Sequence, residues 1–141
     1  MTPFVNIYER FSTKIQDYML DELFRESTDT YEDYIFSFLK SSIAKFTHCR
    51  KNLLDRDEKS KCFNITLSEL EEEVLAEMMK VEWMDKEVNN VLEMRLALNN
   101  SDFKRYAESN NLKSKMDLRD NIQERVNNLI VQYSYSSYEW K

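Results

Sequence analysis

Residues 31–46 read Tyr31-Glu32-Asp33-Tyr34-Ile35-Phe36-Ser37-Phe38-Leu39-Lys40-Ser41-Ser42-Ile43-Ala44-Lys45-Phe46. Within this stretch Tyr31, Tyr34, Ile35, Phe38, Leu39, Ser42, Ile43 and Phe46 recur at steps of three and four, which is one face of an α-helix. The stripe is aromatic and β-branched, a composition suited to dense packing on a neighbouring helix. Upstream, Ser27-Thr28-Asp29-Thr30 supplies side chains that end one helix and cap the next. Before that, Phe4, Ile7, Tyr8, Phe11, Ile15, Tyr18 and Met19 keep the same period. They predict a first helix capped by Thr2, opened by Pro3 and running to about Phe24.

Downstream, the polar run 55–61 reads as a loop and Phe63-Asn64-Ile65 as a short extended piece. Thr66 and Glu69 are spaced as a capping box, with Ile65 placed as its hydrophobic staple. Leu67, Leu70, Val74, Met78 and Val81 then form the inner face of a third helix. Around Asp85-Lys86 the apolar register slips towards Val88, Val91, Leu92, Leu96 and Leu98, which predicts a kink or break. Asn99-Asn100-Ser101 caps a short helix carrying Phe103 and Tyr106. After a turn at Ser109-Asn110-Asn111, a last helix shows Leu118, Ile122, Val126, Leu129, Ile130 and Tyr133 on one stripe.

No glycine occurs among the 141 residues, and Pro3 is the sole proline. Hairpin turns, bulges and phosphate-cradling loops lean on glycine for positive φ, whereas a helix uses it only as an optional C-cap. The expected fold is therefore all-α, a bundle of about five helices. Its domain spans 1–133, followed by an extended aromatic tail, 134–141.

The formal net charge is −6. The first hundred residues carry −7 and the rest +1. A general nucleic-acid binder needs a basic face to displace counterions, so that class is disfavoured. No apolar run is long enough for a membrane span, and residues 1–6 lack a signal-peptide pattern. Cys49 and Cys62 are too few for a disulfide framework and read as free thiols.

Catalytic constellations are weak. His48 is the single histidine, and Cys49 beside it points about 100° away on a helix. Asp55-Arg56-Asp57 begins like a calcium loop, but Ser60 and Thr66 stand where that loop needs glycine and glutamate. The acids Glu69, Glu71, Glu72 and Glu73 fit a solvated helix start favoured by the dipole better than a metal site. Met78, Met79, Met84 and Met94 read as core rather than as an adaptable binding surface, and Trp83 as an anchor of the interior. No enzyme, cofactor or metal is expected.

The C-terminal residues Tyr133, Tyr135, Tyr138 and Trp140 are the feature that core packing explains least. From Tyr133 onward the period changes to two, as in extended chain. Terminal residues are usually small and polar, while Tyr and Trp are favoured interface anchors. These side chains either fold back on their own bundle or dock on a partner, and they are the candidate partner-binding residues.

The order of short motifs resembles small proteins encoded among the virion-assembly genes of tailed bacteriophages that infect Gram-positive hosts. It is carried by Ser41-Ser42-Ile43-Ala44-Lys45-Phe46, Asp55-Arg56-Asp57, Phe63-Asn64-Ile65-Thr66-Leu67 and Val81-Glu82-Trp83. It continues with Asp102-Phe103, Tyr106, Asn110-Asn111-Leu112-Lys113 and Tyr133-Ser134-Tyr135. Such sequences often place a proline shortly after the tryptophan, where Asp85-Lys86-Glu87 stands here. The resemblance implies a head–tail connector, or adaptor, in the neck of the virion. It would be a small helical bundle forming a ring beneath the portal protein, touching other neck or tail proteins and often fastening through a C-terminal segment. It implies self-association, with no membrane and no sequence-specific nucleic acid as partners, and a place in the host cytoplasm during assembly. The alternative is a small phage-encoded regulator or assembly chaperone that binds one partner and is absent from the mature particle.

Overall fold

The computed structural model describes residues 1–136. Among the described residues six helices and a three-stranded scrap of sheet are formed, so the protein is predominantly all-α. Strand β1 (Thr2–Pro3) leads directly into α1 (Phe4–Lys14). Thr2 does not cap that helix. It lies in the sheet opposite Phe63, and its hydroxyl accepts a hydrogen bond from the Leu67 amide at 2.8 Å. Pro3 occupies the cap position. Phe4, Ile7, Tyr8 and Phe11 form the buried face.

The first helix ends ten residues short of its expected limit. Ile15 and Asp17 are extended, and α2 (Tyr18–Glu26) begins anew. Asp17 is the cause. Its Oδ1 accepts from the amides of Met19 and Leu20, while its Oδ2 accepts from the half-buried Trp83 indole at 2.8 Å. A carboxylate satisfied at both oxygens holds the corner more firmly than the continuing apolar period holds a straight helix.

Ser27 ends α2 and caps α3 (Thr28–Lys45), its hydroxyl accepting from the Thr30 amide. The quoted stripe is indeed the buried face, with Tyr31, Ile35, Phe38, Leu39, Ser42 and Ile43 turned inward. The polar run then makes a small antiparallel hairpin, β2 (Arg56–Asp57) against β3 (Cys62–Phe63), with β1 on the other side of β3. Its turn is held by Asp57 Oδ1, which accepts from the Lys59 and Ser60 amides. Lys61 takes the left-handed conformation, φ 57°, that glycine would otherwise fill.

Helix α4 (Glu69–Glu93) is the axis of the molecule, packing against α1 and α3 and against α6 (Leu112–Ser136). Its capping box is Ser68 with Glu71, two residues later than expected. Thr66 is otherwise engaged, its hydroxyl accepting from the N-terminal ammonium and its carbonyl from Lys51. No break occurs at Asp85. Where the register slips, Asp85 pairs with Arg119, Glu87 with Lys115, and Lys86 lies over the Tyr34 ring. The polar residues there face α6 and α3, so the slip marks a change of neighbour within one continuous helix. Met78, Met79 and Met84 are buried, as expected of core methionines, whereas Met94 is half-buried at the end of the helix and outside the core.

A 3₁₀ turn at Met94–Leu96 leads to α5 (Asn100–Ser109), capped by Asn99 and burying none of its own residues. Asn111, at φ 54°, turns the chain into α6. That helix stays regular through Ser136, so residues 134–136 belong to it rather than to an extended tail.

Candidate functional site

The C-terminal aromatic residues are separated by the structure. Tyr133 is in the core, 1% exposed, and is not available to a partner. Tyr135, two positions on, is 69% exposed on the last turn of α6, one turn beyond Val131 at 52%. A step of two residues on a helix turns a side chain by about 200°, which sends one tyrosine inward and the next outward. Tyr138 and Trp140 lie outside the described residues.

Around Tyr133 the chain assembles a polar node that the sequence reading missed. The phenol donates to Glu71 Oε2 at 2.7 Å and accepts from the Arg50 amide at 2.9 Å. The Arg50 guanidinium lies 4.0 Å from the ring centroid, donates to the Tyr133 carbonyl and reaches the Ser136 hydroxyl. Phe46 meets the ring edge-on at 5.4 Å. The segment after α3 thus clamps the C-terminal end of α6 from two sides.

Glu71 is the hub of this node and is 2% exposed. Its Oε1 accepts from the Ser68 amide and from Lys51 Nζ, each at 2.8 Å, while Oε2 takes Tyr133 and the Cys49 thiol. Burial alone would raise its pKa. Hydrogen bonds from Lys51, the Ser68 amide and Tyr133 overcome that and hold it down to about 2. Burial also pushes the Tyr133 phenol and the Cys49 thiol up, and the Glu71 charge adds to both. The Cys49 sulfur is therefore aimed at Glu71 and Tyr133, while the neighbouring His48 ring approaches Thr47.

The acidic start of α4 differs from the solvated surface that was expected. Glu71 and Glu72 are buried, as is Glu77 two turns on. Arg10 donates to Glu72 at 3.2 Å and to Glu73 at 3.0 Å, and Lys14 pairs with Glu73 and Glu77. These carboxylates join α1 to α4 through charge-assisted hydrogen bonds. Among the described residues no group of three or more His, Cys, Asp or Glu could hold a metal ion, and no helix is long and apolar enough to cross a membrane.

One signal for the node was present. Glu71 sits three residues before Val74 and four before Leu75, both wholly buried. A carboxylate at the edge of an apolar stripe requires internal donors. Nothing local identifies Tyr133, sixty-two positions away, as one of them.

The arrangement offers a rigid pedestal: a helix end fixed into the core on one face and presenting Val131 and Tyr135 on the other. The chain matches no protein-family model, and comparisons with curated proteins and with solved structures give no match either.

Proposed function

We propose that this protein is a non-enzymatic structural component of a phage virion, an adaptor that forms a ring in the head–tail joint and fastens to the portal or to its neighbours through the C-terminal end of α6. The observation that carries this reading is the clamped helix end. Arg50, Glu71 and Phe46 hold Tyr133 while Val131, two residues before it, and Tyr135, two residues after it, are turned to solvent on the opposite face. An anchor presented from a fixed element loses little conformational entropy on docking, and tyrosine is a favoured contact residue. The resemblance in motif order supplies the setting. The net charge of −6 agrees with a conduit wall along which DNA slides without adhering. A ring would also multiply weak contacts, since each subunit is held by neighbours as well as by the portal.

Replacing Tyr135 with serine and deleting residues 137–141 spares the Tyr133 node. This variant is expected to keep its helical circular dichroism. It should also fail to co-elute with portal protein in size-exclusion chromatography with light scattering, and be missing from purified particles by mass spectrometry. Incorporation at the wild-type level would overturn the role given to this helix end.

A further inference from the structure

We propose that the groove between α1 and the α2–α3 corner is a docking site for a cationic amphipathic segment of a partner protein. This goes beyond the adaptor reading and uses no residue of α6. The groove encloses about 450 Å³, within the range of sites that hold a few side chains. Tyr8 and Tyr31 line it together with Val5 and Phe24. Phe24 is 52% exposed although its ring meets Tyr31 edge-on at 5.2 Å, so an aromatic face is left partly uncovered. At the other end of α2, Tyr18 and Met19 are exposed as well. Within the groove the uncovered apolar surface is that of Phe24 and Val5, the latter 41% exposed.

Charge selects the occupant. The lining includes three carboxylates, Glu9, Asp21 and Glu32, and no lysine or arginine. Glu32 is paired with Lys61 at 2.8 Å, whereas Glu9 and Asp21 form no ion pair among the described residues. Two of the three, Asp21 and Glu32, act on the phenols, together with Asp17 and Asp33 outside the lining. After burial, which contributes most, Asp21, Glu32 and Asp17 push the Tyr31 pKa upward, and Glu32 and Asp33 do the same for Tyr8. An aromatic groove edged by unpaired carboxylates favours a lysine or arginine lying beside a large apolar side chain, which gains both cation–π and Coulombic contacts.

The test uses the full chain, labelled with ¹⁵N, and two synthetic helical peptides of about twelve residues, roughly three turns. Both carry the same leucine and phenylalanine ladder, one with lysine and the other with glutamate at the remaining positions. The lysine peptide should bind, with shifts confined to α1, α2 and the first turns of α3. Its affinity should fall about tenfold in Glu9→Gln/Asp21→Asn and again on raising salt. Phe24→Ala should weaken it by a similar factor while the circular dichroism stays unchanged, which guards against a misfolded charge variant. Binding of neither peptide, equal binding of both, or shifts that map elsewhere would overturn the proposal. So would sedimentation showing a self-associated species that occupies this groove.

Discussion

Replacing Tyr133 with phenylalanine removes one oxygen atom and leaves the ring in place. Glu71 Oε2 then keeps only the Cys49 thiol at 3.6 Å, and the Arg50 amide loses its acceptor. A hydrogen bond to a buried charge contributes about 1.5–3 kcal/mol, so the variant should be about 2 kcal/mol less stable at neutral pH. The loss should appear as a lower urea midpoint at unchanged slope, because the surface exposed on unfolding is the same. The pH dependence gives a sharper check. The Glu71 pKa is about 2 in the folded chain against 4.5 for an ordinary glutamate. A depressed carboxyl stabilises the fold fully above its unfolded pKa, and this contribution fades as pH falls from about 4.5 towards 2. In the wild type that window should cost on the order of 3 kcal/mol. In Tyr133→Phe the native pKa rises, so the decline should be shallower and the two proteins should converge near its acid end. Parallel pH profiles, or a neutral-pH difference below about 0.5 kcal/mol, would refute the idea that the phenol stabilises a buried charge.

Asp17→Ala removes a helix cap and the acceptor of the Trp83 indole, and should destabilise the chain by about 2 kcal/mol, read from the urea midpoint. Asp17→Asn, which retains a cap oxygen, should recover part of the loss. Asn111→Gly relieves a left-handed residue at φ 54° and should raise Tm by about 2 °C, measured by calorimetry; a fall would mean that the asparagine side chain does more than tolerate the turn.

Much of the fold was legible because apolar stripes of period 3.6 identify buried faces without knowledge of their partners. Helix α3 is the clearest instance, with its stripe and its Ser27 cap both readable from neighbouring residues. The misreadings arose where distant residues decide a local outcome. Thr66-x-x-Glu69 and Ser68-x-x-Glu71 both satisfy the capping-box spacing, and the second is used because Thr66 is held by Met1 and Lys51. Ile15 continues the period of α1, yet Asp17 breaks the helix with a bond to Trp83, sixty-six positions away. At the site, Tyr133 fits both the α6 stripe and the alternation of the tail, and only the position of Glu71 settles which way it points. For Tyr135 the sequence left folding back and docking open, and Arg50 and Lys51 carried no signal beyond their charge.

The partnership of Glu71 with Tyr133 also bears on synthesis. A nascent chain that has delivered α1, α3 and α4 holds nearly all its greasy surface, yet a carboxylate in the middle of it still lacks its phenolic donor. Until residue 133 leaves the ribosome, closing the core means desolvating a charge that is only partly matched. Maturation should therefore wait for α6 and then finish in a single cooperative step, with the turns around Tyr133 acting as the keystone.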